Sequence, residues 1–421
     1  MSYKKACFTT VVLALAFLML FSVTRSEGAE KILKVGVMGP YTGPVAMQGG
    51  EIRNASTMAF EKIGYKIGDY KVELVWIDSQ SDPAKAVNAY SEAVERLGID
   101  VGLLGYHSSV VIALMDLLAK YKIPHFFGCV GSELINEKYR SDPKYKGLYF
   151  KDWVIPGTVA AGYVDFLNSV IKRGVWKPEK RRVALVCEDT DWGRSWAQGI
   201  KKAFIKSGWE IVSEDYFPLT QTDFYPLVAK YQKLDTTVIA SSTNVVAATG
   251  ALMKQRQELG FKGVVIADAI TLVGEWYSIT GPASNFMLDM MPLFATPGAK
   301  EFAAAYEKKY GSKPGPASGG LSYDVTNFFI KIARRALEKY GKLDRETIHK
   351  IALEEVATGK LTYTAKDGAI MMAKFQYTEQ TMPDPVYSPD TWFMPILQYE
   401  NGNGKIVFPE NMKEAEFRVQ K

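Results

Sequence analysis

Apolar residues come in short runs separated by longer stretches with helical spacing, and the two alternate along most of the chain. "KVGVM" (34–38) reads as a short buried strand. After a loop rich in glycine and proline, Ile52, Ala55, Ala59 and Ile63 fall on one face at the 3.6-residue period of an amphipathic helix. "KVELVWID" (71–78) is the next strand. "SQSDP" closes it, with Asp82 suited to cap a helix and Pro83 to open one. That helix turns Val87, Tyr90, Val94 and Leu97 inward. "VGLLG", the helical "VVIALMDLLAKY" and the strand "IPHFFG" continue the alternation, which predicts a parallel sheet with helices on both faces.

After "YFKDWVIPG" the pattern begins again. "RRVALVCED", "WEIVSED", "TTVIASS" and "KGVVIAD" read as strands. Between them lie helices, the first with Trp196, Ile200, Ala203 and Phe204 inward, the others near "FYPLVAKYQKL" and "AATGALMKQRQELG". The chain is therefore expected to be α/β, with two doubly wound parallel-sheet lobes. Three helices at about 300–311, 322–340 and 344–355 follow, then "KLTYTAKDG" and "FMPILQYENGNGKIVF", a β-hairpin around Asn-Gly. These elements are too few for a third domain and are expected to return to the existing lobes.

The first 28 residues break the pattern. Lys4 and Lys5 precede an apolar run from Phe8 to Val23, and Ser26 and Gly28 supply small residues for cleavage. This arrangement reads as a secretory signal peptide over 1–28. The rival is an uncleaved anchor, but the run is short against the roughly 20 residues a span needs. Cleavage after Gly28 removes three positive side chains and one negative from a formal net charge of +5. The remainder is too mildly basic to argue for nucleic acid. Cys129 and Cys187 then remain, at different strand ends, and are expected as free thiols.

Nothing in the motifs asks for catalysis. The opening glycines (Gly36, Gly39, Gly43, Gly49 and Gly50) fit neither spacing of a nucleotide loop, and G-x-S-x-G, H-E-x-x-H and C-x-x-C are absent. Three histidines leave little for a metal cluster, and no cofactor is implied. Asp189 and Asp191 stand in a strand-to-helix loop, where aspartates turn or cap. What remains is a set of loops at the carboxyl ends of parallel strands: "GPYTGPVAMQGG", "GYHSS", "GCVGSE", "EDTDWGR", "ASSTN" and "ADAIT". Open α/β sheets bind ligands there, and helix N-termini can receive a carboxylate without a buried arginine.

In order and spacing these segments resemble the solute-binding proteins of ABC importers for branched-chain amino acids, that is, type I periplasmic binding proteins. The resemblance spans nearly all of the chain beyond the leader and includes "DSQSDPAKAV", "DWGRSWAQGI" and "GKLTYTAKDG". It implies a carboxylate-binding serine at Ser108, with Ser109 as the alternative. It places Gly128, Cys129 and Val130 in the next ligand loop, Val130 standing where the family has a hydroxyl. Trp192 matches an aromatic that closes over the ligand from the second lobe. Gln48 replaces an aromatic of the first loop, and Thr243 and Asn244 take a place where an aromatic often stands. The family's ammonium-binding carboxylate falls on Ala269, with Asp268 one residue earlier.

The resemblance further implies three hinge crossings, near 151–155, 288–292 and 361–365. Lobe 1 is then expected over 29–152 plus 290–363, and lobe 2 over 153–289 plus 364–421. The expected protein is a periplasmic, monomeric, non-enzymatic subunit that captures a small carboxylate in the interlobe cleft and hands it to a membrane permease. The ligand would be a hydrophobic amino acid or, since the site departs from the family pattern, an aromatic or other acid. A ligand-sensing regulator on the same fold and a two-lobed hydrolase are the competing classes.

Overall fold

The computed structural model describes residues 30–419, so the leader expected over 1–28 lies outside the described residues. Among the described residues two large sheets form, as the strand–helix alternation predicts, and Tyr363–Thr364 pairs antiparallel with Lys374–Phe375 in a small third one. The first has six strands in the order Lys66–Ile67, Tyr70–Asp78, Lys31–Gly39, Val101–Leu103, His125–Gly128 and Tyr149–Lys151. All are parallel except the short Lys66–Ile67 edge. Its central strand buries Leu33, Val35, Val37 and Met38, so both faces are covered by helices.

The second sheet has seven strands, in the order Asn403–Phe408, Ile396–Glu400, Leu288–Met290, Val264–Asp268, Val238–Ser242, Arg182–Glu188 and Glu210–Phe217. The last five are parallel, and the C-terminal hairpin extends them antiparallel. Asn401 and Gly402, both at positive φ, make that hairpin's two-residue turn, the conformation that Asn-Gly favours.

Local signals account for the helix ends. The side chain of Asp82 accepts from Lys85 N, with Pro83 as the first helical residue. The Pro83–Glu95 helix ends two residues before Leu97, so Leu97 turns out to solvent rather than inward. The third late helix is shorter than expected, Arg345–Ile351, and continues as a wider turn over Ala352–Val356. In the first loop Gly49 is required by close approach: a Cβ there would sit 2.1 Å from the Pro40 carbonyl oxygen.

The chain leaves the first lobe after Lys151 and returns to it after Met290, where the helices Pro297–Tyr310 and Ser322–Tyr340 pack on Ala46–Lys62. Beyond the crossing expected near 361–365, residues 370–384 keep bonds to elements of the first lobe. Asp324 accepts from Ile370 N and Met371 N, Phe375 packs near Phe328, and the Tyr377 hydroxyl donates to the Lys151 carbonyl. Asp384 completes this return by pairing with the fully buried Lys151, Nζ to Oδ1 2.8 Å. Asn136 donates to the same carboxylate, and Ile155 N to its other oxygen. One acidic side chain thus ties the tail to the strand that carries the first crossing.

Two stability predictions follow from this junction. Removing one partner of a buried pair strands the other, so Asp384→Ala should cost about 3–5 kcal/mol in equilibrium denaturation. Asp152, the next residue, is buried with Oδ1 unpartnered, and burial pushes its carboxyl up to about 8. The folded chain therefore holds a proton that the unfolded chain has released above about pH 4, and this residue's contribution to stability falls as pH rises towards 8. Asp152→Asn should remove that slope, with a larger gain over the parent at pH 9 than at pH 5.

Candidate functional site

Loops at the carboxyl ends of both sheets enclose a narrow cleft with about 300 Å³ of atom-free space, open solvent included. One wall carries Tyr106, His107 and Ser108 from the loop after Val101–Leu103, and Cys129, Val130 and Gly131 from the loop after His125–Gly128. Trp153 joins them from the first crossing. The other wall is Trp192, Asn244, Ala269 and Leu272. Among the described residues, none that lines the cleft carries a carboxylate, an ammonium or a guanidinium group.

Ser108 opens a 14-residue helix whose N-cap, His107, makes no side-chain capping bond. The N-terminus of that helix stands at the cleft wall with its first N–H groups uncapped, and such a position attracts an anion. The Ser108 hydroxyl oxygen accepts from Ser132 N at 3.1 Å, which ties the two loops of this wall together.

The opposite wall is held by two buried carboxyl groups set behind it. Glu188 accepts from Asn244 N (2.7 Å), Asn244 Nδ2 (3.0 Å) and the Thr190 hydroxyl (2.7 Å). Asn244 is thereby oriented with Oδ1 towards the cleft, where the Tyr106 hydroxyl donates to it at 2.8 Å. Gln48 Nε2 donates to the Asn244 carbonyl. Trp192 Nε1 donates to the Ser242 hydroxyl (2.9 Å), which in turn donates to Asp268 (3.1 Å). The Trp192 ring then reaches Gly131, where a Cβ would lie 2.2 Å from the ring.

Of the residues expected from the sequence, Ser108, Cys129, Val130, Trp192 and Ala269 come together on the cleft walls. Gln48 reaches the site through its bond to Asn244. Ser109 lies in the helix that Ser108 opens and Gly128 ends the strand before the next loop, and neither lines the cleft. Asn244, rather than Thr243, takes the wall position; the Thr243 hydroxyl instead accepts from Val245 N. Asp268 is behind the wall, receiving bonds from the Tyr163 hydroxyl (2.8 Å) and Ser242. Burial, reinforced by the nearby Asp289, pushes its carboxyl above the ordinary range.

Tyr106, His107, Gly131, Trp153 and Leu272 were not singled out from the sequence. The first three lie inside loops that their composition had marked. Trp153 had no signal beyond its place in the first crossing.

The chemistry is that of holding rather than transforming. The Cys129 thiol is pushed well up by burial, so it is a poor nucleophile. Burial draws His107 down to about 4 and keeps it neutral. Asp189 pairs with Arg194 at the surface (2.6 Å), and the helix there is capped by Thr190. Among the described residues no group of three His, Cys, Asp or Glu is placed to hold a metal.

Residues 32–380 match the family model described as periplasmic binding protein. A Leu/Ile/Val-binding protein homolog 7 from Brucella abortus (strain 2308) is 25% identical over 415 residues, covering 93% of this chain and 95% of the relative. Among solved structures, a putative branched-chain amino acid ABC transporter protein from Silicibacter pomeroyi superposes with a TM-score of 0.73 at 17% identity, covering 93% of this chain and 99% of that one. An ABC transporter solute-binding protein from Rhodopseudomonas palustris BisB5, in complex with 3,4-dihydroxy benzoic acid, gives 0.71 at 20% identity, covering 93% and 98%. Another from R. palustris, in complex with benzoate, gives 0.72 at 16%, covering 89% and 95%. At these identities the structural matches establish the fold.

The contact between Gly131 and Trp192 is open to test. A methyl group at 131 would have to displace an indole that its bond to Ser242 holds in place. Gly131→Ala should therefore weaken binding of any cleft solute at least tenfold in calorimetry and change the melting temperature of the free protein by no more than a few degrees.

Proposed function

The chain belongs to the periplasmic binding protein family, and from that premise we propose that it is the exported receptor of an ABC importer for a small aromatic carboxylate without an ammonium group. The family is one of solute-binding proteins rather than enzymes. The observation that carries the ligand class is the neutrality of the cleft wall. A zwitterionic amino acid needs a carboxylate beside its ammonium group, and the nearest family equivalent, Asp268, is turned away into bonds with Tyr163 and Ser242. A carboxylate alone is served by the uncapped helix N-terminus at Ser108. Trp153 and Trp192, one from each wall, supply apolar faces for a flat ring. The complexes of the two R. palustris structural neighbours with aromatic acids support this reading.

In this mechanism the solute seats first on the Ser108 helix, and the second lobe then brings Trp192 over it. Closure is favoured only as far as the solute contacts both lobes at once. A membrane permease receives the closed form, and the receptor acts as a monomer in the periplasm, its leader removed near Gly28. Residues 29–152, 290–363 and the tail through Asp384 move as one lobe; 153–289 and the C-terminal hairpin move as the other.

Isothermal titration against benzoate, phenylalanine, leucine and valine tests this. Benzoate should bind, and at 100 times its dissociation constant it should add about 2.7 kcal/mol of stability. Ser108→Ala should weaken it about tenfold, the order expected for a hydrogen bond to a charged group. Binding of leucine or valine with no response to benzoate would overturn the proposal.

A further inference from the structure

Among the side chains that line the cleft, one fully buried polar atom has no hydrogen-bond partner. The amide of Asn244 is used at both ends, by Glu188 and by Tyr106. The Trp192 indole is spent on Ser242, and the Ser108 oxygen accepts from Ser132. His107, which lines the same cleft and is only 5% exposed, has its Nε2 buried with no partner. Its backbone is also held at φ 68°, ψ 118°, a conformation that a residue with a Cβ rarely adopts. A buried polar atom left unpaired on a strained residue is costly, and such features cluster where a ligand is gripped. The Tyr106 ring stands edge-on to the imidazole at 5.1 Å and fixes its place on the wall.

The kind of partner follows from what the wall lacks. Donors for a carboxylate are present in the first N–H groups of the Ser108 helix and the Ser108 hydroxyl. On the acceptor side, the Asn244 side-chain oxygen already takes the Tyr106 hydroxyl and no carboxylate faces the cleft, so the buried acceptor still without a donor is on His107. A neutral imidazole supplies one at Nε2 when its proton sits on Nδ1. Resting on the reading above that the cleft takes an aromatic carboxylate, we infer that the solute is a hydroxylated one, and that His107 Nε2 accepts a hydrogen bond from its ring hydroxyl. His107 is then the residue that sets specificity among aromatic acids. A site built to pair a hydroxyl discriminates strongly against the analogue lacking it, because its own polar atom is stranded.

The test is the ratio of affinities for each of the three monohydroxybenzoates to that for benzoate, measured by titration calorimetry on the parent protein, His107→Gly and His107→Gln. Glycine suits the backbone at this φ, so His107→Gly removes the ring without adding strain. Gln keeps an acceptor oxygen. The parent should bind at least one hydroxybenzoate ten times or more tighter than benzoate. His107→Gly should bring that ratio to within twofold of unity, and His107→Gln should keep part of it. A loss of overall stability would weaken all four acids together and leave the ratio unchanged.

If the parent binds benzoate as tightly as every hydroxybenzoate, or His107→Gly keeps the preference, the assignment of His107 is overturned while the aromatic-acid reading stands. If the parent binds none of the four acids, both fall.

Discussion

The Glu188 carboxylate, sealed from solvent behind the cleft, is the group on which the second wall depends. It accepts three hydrogen bonds, two of them from Asn244. An asparagine amide has a donor end and an acceptor end, and a carboxylate can face only the donor. Glu188 therefore decides which way Asn244 points, and its Oδ1 meets the Tyr106 hydroxyl on the opposite wall as a consequence. Burial raises the Glu188 pKa, while the bonds from Asn244 and Thr190 oppose that rise. Both walls are built from loops, yet this buried acceptor gives them one orientation.

The second buried acid has a similar positional role. Asp268 lies behind Ser242, and Ser242 behind the Trp192 indole nitrogen, so the chain of bonds ends on the aromatic ring that covers the cleft. Its proximity to Asp289 adds to the effect of burial in disfavouring the charged form. A group already discouraged from ionising, with both oxygens engaged, is poorly suited to compensate a ligand's ammonium charge. Ala269 takes the wall position with a positive φ of 71° and offers no charge. The consequence is a site polarised at one end, by the helix N-terminus, and without a charged side chain on its walls.

Much of the fold could be read from residue spacing, because burial on both faces of a parallel sheet leaves continuous apolar runs and the helices between them carry one apolar stripe. The Asn-Gly hairpin and the Asp82–Pro83 helix start were legible for local reasons. Leu97 was misplaced because helical periodicity cannot say where the helix stops. The buried pair of Lys151 with Asp384 was not legible, because no local pattern encodes a long-range ion pair. In the site, Ser108, Cys129, Val130, Trp192 and Ala269 were found by loop position and resemblance. Side-chain direction was not legible: adjacent residues of one loop diverge, so Asn244 faces the cleft while Thr243 and Asp268 face inward. His107 went unnoticed for a related reason, since an unpartnered ring nitrogen is visible only once every neighbour's bonds are counted.

Closure in such a molecule is a balance between contacts the lobes make by themselves and contacts a solute adds. The walls already share Tyr106 with Asn244, Gln48 with Asn244, and Glu133 N with the Ser195 hydroxyl. Glu51 adds another bridge, accepting from Gly274 N beyond the second sheet and from Gly315 N. Shifting an equilibrium from 1:99 to 99:1 takes about 5.5 kcal/mol of differential affinity. The interlobe bonds set where that balance starts, and a solute moves it only through groups that meet both walls. A flat ring lying between Val130 of the first lobe and Trp192 of the second does so, whereas a carboxylate at the Ser108 helix, however tightly held, contacts one wall alone. Affinity at the helix N-terminus and the drive to close are therefore carried by different parts of the solute: the acid group anchors it, and the ring closes the lobes.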